Sequence, residues 1–290
     1  MTSTFLVDGE FPATTEGRPW GKEGATLEVA GIPIGIEGLS RLQRDTLAKL
    51  HPVIGEQARA RVSLFRAERE AFRRIDPRGW SYALDFDYGS DRTHLVGMDW
   101  MARLEWRPEM SAGLWVVAES PGAFEGAFEN FLRVLAAHIL LLEGGALLHS
   151  ASVVTSEGAH LFVGPSGAGK STISRAARSS GRAVVSDDLN VVTPGLALGG
   201  SSFFSEIGSR REGTIPLRGI YRLEKGTEDA IRPIGRAEAL ASLIACTPFV
   251  NRSRFLAHRL WANLGALVQR VPSHVLTFRR EAHFWSLLPS

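Results

Sequence analysis

The 290-residue chain has a single cysteine, Cys246. One thiol excludes an intrachain disulfide and any zinc cluster built from cysteines, and it suits a reducing compartment, so a cytoplasmic protein is expected. Long apolar runs are missing too. The longest clearly apolar stretch, Val134–Leu142, is nine residues, against the ~20 that a spanning helix needs. No membrane span is therefore expected. The opening MTSTFLVDGE lacks a basic start and meets Asp8 early, so it does not read as a secretory signal. Net charge is small, +2, which gives no ground for a nucleic-acid partner. Lysine is scarce, four against 29 arginines, which draws attention to each lysine, Lys170 included. What is present, 44% hydrophobic and 22% charged residues, excludes disorder as the main state, because such a chain can bury enough surface to offset its ordering entropy.

The small net charge conceals an asymmetry. From Ile207 onward there are 13 basic residues against 6 acidic, and before it 20 against 25. A basic final third can attract an anionic substrate or be no more than a solvated face. Arg210-Arg211 reads as an exposed loop pair. The length suits two domains or one large one. Residues 1–35 read as short strands and turns, and Leu39 to about Gln57 as a helix bent or ended by Pro52. Residues 58–118 alternate apolar and polar (RVSLF, WSYALDFDY, THLVGMDW, ARLEW, LWVVAE), the pattern of an antiparallel sheet. Pro121–Glu143 has Phe124, Phe128, Phe131, Leu132 and Leu135 at helical spacing. The texture then changes, placing a boundary near Glu143–Gly145, with domains 1–143 and 144–290.

The second part begins strand (ALLHSASVV), strand (AHLFVG), Gly-rich loop, helix (STISRAARSS), strand (RAVVS). That order is the pattern of a nucleotide-binding α/β core, within a chain that is α+β overall. The rest continues as short strands to about Leu223, helices over Arg236–Cys246 and Arg254–Val271, and a strand at HVLTF. In the loop, Gly164-Pro165-Ser166-Gly167-Ala168-Gly169-Lys170-Ser171-Thr172 fits G-x-x-x-x-G-K-[ST] completely. Each residue type has a physical reason. Glycines let the backbone curl so that amide N–H groups converge on a phosphate, and the helix start adds its positive end. Lys170 reaches the β- and γ-phosphates and the Ser171 hydroxyl is placed to ligate Mg²⁺. A bound nucleoside triphosphate is the expectation.

Asp187-Asp188 follow the next strand-like run. An acidic pair there reads either as turn chemistry or as metal and proton chemistry together. In the second case one carboxylate holds Mg²⁺ while the other takes a proton from an attacking hydroxyl. His149 ends the run GGALLH, as an ordinary edge-of-strand histidine or as part of the same site.

HSASVV, GPSGAGKST and VVSDD, in that order and at these intervals, together resemble the catalytic domain of HPr kinase/phosphorylase. IPLRGIYRL (Ile215–Leu223) is similar to a fourth segment of that family, with Arg218 and Gly219 on its Arg-Gly. The resemblance covers about residues 145–225. It implies the fold shared with phosphoenolpyruvate carboxykinases and an ATP/Mg²⁺-dependent kinase that phosphorylates a hydroxyl, most simply a serine in a peptide or small protein. It makes Asp187 the general base, Asp188 and Ser171 the metal ligands, and Gly164–Thr172 the triphosphate cradle. His149 would stand beside the acceptor, and Arg218 would offset charge developing in transfer. Departures from the family pattern are Pro216 in place of a glutamate, Thr172 in place of a glutamate and Ser150 in place of a glycine. These, with an N-terminal part unlike the usual regulatory domain, point to the diverged HPr kinase-related proteins. A kinase for free serine or another small hydroxyl metabolite, and a non-catalytic nucleotide sensor, remain as alternatives, and a homo-oligomer is open.

Overall fold

The computed structural model describes residues 5–6, 9–11, 17–72, 83–117, 123–200, 203, 205–208, 213–279 and 284–288. Arg210-Arg211 lie outside these residues. The architecture is α+β, with five helices and two sheets among the described residues. The chain divides into two compact units, Met1–Leu135 and Ala136–Ser290.

The first unit contains β1 (Arg18–Pro19), β2 (Glu23–Val29), β3 (Ile32–Leu39), α1 (Arg41–Leu50), β4 (Ala60–Ala67), β5 (Asp85–Tyr88), β6 (Arg92–Val96), β7 (Trp100–Glu105) and β8 (Ser111–Val117). Its sheet runs β2-β3-β4-β8-β7-β6-β5, with β1 beside β4. Helix α1 starts where Ser40 and Gln43 cap each other, a capping box. It ends at Leu50 rather than near Gln57, because Pro52 pushes His51 into extended backbone. The alternating burial of β4 as far as Phe65 and of the first half of β8 matches the expected period of two, while Leu114–Val117 of β8 are all buried. Within residues 58–118 the expected antiparallel order holds for the β5–β8 meander but not for β4–β8, which is parallel, as is β3–β4. Alternation reports which face is buried, not strand direction. For β3–β4 direction is set by the crossover through α1, which returns the chain to the same end of the sheet; β4 and β8 are joined by the chain that carries β5, β6 and β7. Helix α2 (Ala123–Glu143) spans the division between units. Phe131 is fully buried, edge-on to Trp100 at 6.4 Å, a burial worth roughly 2–3 kcal/mol.

The second unit contains β9 (Ala146–Val154), β10 (Ala159–Val163), α3 (Lys170–Ser179), β11 (Ala183–Val184), β12 (Leu189–Val192), β13 (Ala197–Gly199) and β14 (Thr214–Lys225). After these come β15 (Ala230–Pro233), α4 (Arg236–Ala245), α5 (Ala257–Arg270) and β16 (Ser273–Phe278). β10 pairs antiparallel with β9 and parallel with β14, while β9, β12, β13 and β14 pair in sequence, so the ladder closes on itself. β16 extends it from β14, and β15 from β16. Helix α3 lays Ile173 and Ala177 on a core of Phe162, Tyr221, Leu276 and Phe278. That packing fixes the start of α3, and hence the loop before it, against the end of β10.

Candidate functional site

The segment between β10 and α3 is the Gly-rich loop. Gly167 and Gly169 have φ of +77° and +111°, backbone that favours glycine. Gly169 is also sterically required, since a Cβ there would lie 2.5 Å from the Phe278 ring. The loop closes with Ala168 N–H on Pro165 O, and α3 begins with Ile173 N–H on Gly169 O. Pro165, Ser166 and Gly167 are exposed at its rim. Lys170 is buried and folds back on the loop, its Nζ donating to Gly164 O at 2.9 Å and Pro165 O at 3.2 Å. Burial pushes its pKa down, and Cys246 and Asp188 pull it back up. The Cys246 thiol, itself pushed up by burial, donates to the same Gly164 O at 3.7 Å. Ser171 and Thr172 form the first turn of α3, both part-buried.

Asp187 and Asp188 sit on the segment that leads from β11 into β12 and runs beside β9. Ser152 N–H donates to Ser186 O and Ser150 N–H to Asp188 O. A buried polar network holds this segment. Asn190 Nδ2 donates to Ser150 O at 2.7 Å, Ser152 Oγ donates to Asn190 Oδ1 at 2.6 Å, and Ser186 N–H donates to Ser152 Oγ. Buried polar groups persist only when satisfied in this way. The two carboxylates face different surroundings. Asp188 turns toward His149, with 3.8 Å between Oδ1 and Nε2. Asp187 is buried, and its Oδ1 accepts from Ser205 Oγ at 2.5 Å and from Ile207 N–H at 3.4 Å. Its Oδ2 has no hydrogen-bond partner among the described residues.

His149 is half-exposed on β9, its backbone N–H donating to Cys246 O at the end of α4. Burial lowers its pKa, Lys170 lowers it further, and Asp188 and Asp187 oppose both. The loop lysine, the histidine and the acidic pair therefore act on one another electrostatically. They form one constellation at the loop end of the sheet.

Arg218 is not part of it. The parallel register of β14 on β10 sets Leu217 and Gly219 against Ala159 and His160, the end of β10 away from the loop, about 13 Å along the strand. The Arg218 Nε donates to Glu157 O at 2.6 Å. Gly219 lacks a side chain for a packing reason, since a Cβ would lie 2.6 Å from the Tyr221 hydroxyl. The arginine in register with Val163, beside the loop, is Arg222, and it is ion-paired with Glu224 and Glu238. Local likeness to a motif located an Arg-Gly pair, but pairing register decides which arginine reaches the loop. Ser152, Ser186, Asn190 and Ser205 were not singled out from the sequence. Polar residues at buried positions of the HSASVV strand are the one signal that pointed to such a network.

The constellation offers hard oxygen ligands, the Ser171 hydroxyl and the Asp188 carboxylate. Mg²⁺ takes such sparse protein sets in nucleotide sites, completed by phosphate oxygens and water. By the chemistry of their donors these two residues suit that ion. Among the described residues no group of three or more His, Cys, Asp or Glu side chains is placed to hold a metal without such help. No protein-family model matches the chain, and no curated protein matches it.

Proposed function

We propose that the chain is an ATP/Mg²⁺-dependent phosphotransferase acting on a hydroxyl, with a serine in a peptide or small protein as acceptor. We propose further that its second unit is a phosphate-loop core of the HPr kinase and phosphoenolpyruvate carboxykinase type. One observation carries this reading: a complete phosphate loop, with Lys170 buried on its carbonyls, shares one end of a sheet with His149 and two carboxylates in unlike surroundings. Nucleotide binding alone gives no reason for the second carboxylate.

The chain's groups divide the work by position. The Gly164–Thr172 amides and the α3 N-terminus cradle a triphosphate, and Lys170 exchanges its two carbonyl partners for phosphate oxygens. Ser171 and Asp188 would hold Mg²⁺, which offsets charge on the β- and γ-phosphates. Asp188 suits that side because its carboxylate faces His149 at 3.8 Å and, unlike Asp187, raises the pKa of Lys170. Asp187 is the base. Its Oδ1 already accepts a serine hydroxyl, and Oδ2 is left for the proton of the incoming acceptor. His149 orients that acceptor. Hydrogen bonds to charged groups are worth about 1.5–3 kcal/mol, so calorimetric titration with Mg-ATP should show Lys170→Ala binding about 10- to 100-fold more weakly. A melt run beside it shows that the variant is folded, because the substitution also removes the bonds to Gly164 O and Pro165 O. Equal affinity in a folded Lys170→Ala protein would contradict the reading.

A further inference from the structure

The 205–208 segment lies on Asp187, and its contacts are closer than a covering loop requires. Ser205 Oγ donates to Asp187 Oδ1 at 2.5 Å and accepts from the N–H of Asp187 at 3.2 Å and of Gly208 at 3.0 Å. Ile207 N–H adds a second donor to the same carboxylate oxygen. Gly208 allows this approach because a Cβ there would lie 2.3 Å from Val185 O and 2.9 Å from Ser186 Cα. The segment is also tied to the helix after the phosphate loop, Arg178 donating to Ile207 O at 3.0 Å. These bonds end on Oδ1, on the Ser205 hydroxyl or on a backbone carbonyl, none on Oδ2.

We propose that Ser205 is the positioning residue of Asp187. It clamps Oδ1, fixing the carboxylate so that Oδ2 faces the acceptor hydroxyl, and Arg178 couples that orientation to α3. This rests on the phosphotransfer reading above. Ser205 takes no proton and no phosphate; its hydroxyl stays a donor throughout while Asp187 receives the acceptor's proton. A carboxylate held at one oxygen loses the rotation about its Cβ–Cγ bond that would otherwise misalign the base, and misplacement of ~1 Å can cost ~100-fold in rate. Orienting partners removed one bond away from a reacting group typically cost ~10–100-fold.

The test compares wild type, Ser205→Ala and Ser205→Thr in the full chain, using γ-labelled Mg-ATP with free serine and a synthetic serine-containing peptide as acceptors, and counting released phosphate as transfer to water. Ser205→Ala should lower kcat about 10- to 100-fold, with KM for Mg-ATP within about threefold of wild type. Ser205→Thr, which keeps the hydroxyl, should recover most of kcat. Should Ser205→Ala melt below the assay temperature, Ser205→Cys keeps the volume and weakens the donor, and the same split is expected. Wild-type kcat in Ser205→Ala overturns the proposal alone. So does loss of kcat and Mg-ATP affinity together in the Ala and Thr variants, which marks a structural staple. Phosphate found on Ser205 itself also overturns it, making that serine an internal acceptor. No transfer by wild type, and no difference between wild type and Lys170→Ala, overturns the phosphotransfer reading and this proposal with it.

Discussion

Gly167 and Gly169 both have positive φ, yet alanine at the two positions should have different consequences. At Gly167 a Cβ meets nothing within 4 Å, so Gly167→Ala bears only the cost of left-handed backbone, about 1–2 kcal/mol. At Gly169 the same backbone cost is joined by a collision 2.5 Å from Phe278 Cζ. Phe278 cannot swing aside cheaply, being buried and edge-on to Phe284 at 6.0 Å. Forcing atoms into packed surroundings adds about 1–3 kcal/mol, so Gly169→Ala should be destabilised by about 2–5 kcal/mol. It should also lose Mg-ATP affinity, because relief of the collision requires the loop to leave the end of β10. Denaturant unfolding followed by a fluorescence signal, beside calorimetric titration, measures both quantities. Equal stability of the two variants, or full nucleotide affinity in Gly169→Ala, would refute the reasoning that Phe278 sets the loop's position.

Asn190 is 1% exposed and bridges Ser150 and Ser152. Asn190→Leu removes the side-chain donor to Ser150 O while the two hydroxyls keep Leu148 O and Ser186 O, so a loss of about 1–3 kcal/mol is expected by denaturant melt, and no loss would contradict the network's role. His160 is fully buried with its pKa pushed down to about 4, against 6.5 unperturbed. The unfolded chain binds this proton first, so stability is complete above pH ~6.5 and falls as pH drops toward 4, by up to about 3 kcal/mol. His160→Gln should flatten that acid limb, and an unchanged slope would show that the proton goes elsewhere.

The Gly-rich loop between a strand and a helix was legible because its pattern is local: nine consecutive residues dictate the backbone, and the flanking apolar strand and helix are contiguous with them. The Asp187-Asp188 pair was legible as an acidic pair after a strand-like run, and His149 as a histidine after an apolar run; the structure places His149 within β9. Asp187 and Asp188 differ in environment because Ser205 and Ile207 fold onto the first while the second faces His149, and no periodicity announces such contacts. Arg218 shows the converse failure. Its neighbours match a motif, while the pairing of β14 on β10 carries it to the wrong end of the strand. The parallel steps of the first sheet were hidden for a related reason, because alternation in β4 reads the same whichever way its neighbours run.

Phosphate transfer by wild type and Asp187→Asn, measured beside the Mg-ATP affinity of each, tests the central claim most directly. The amide keeps the carboxylate's shape and one acceptor for Ser205 but cannot take a proton, and general-base contributions run ~10²–10⁴-fold. The account predicts labelled serine product from wild type, Mg-ATP affinity within a few-fold in the variant, and a transfer rate lower by about 100-fold or more. Equal transfer rates at equal nucleotide affinity would contradict it, and binding without transfer in either protein would leave a nucleotide-binding module in place of a kinase.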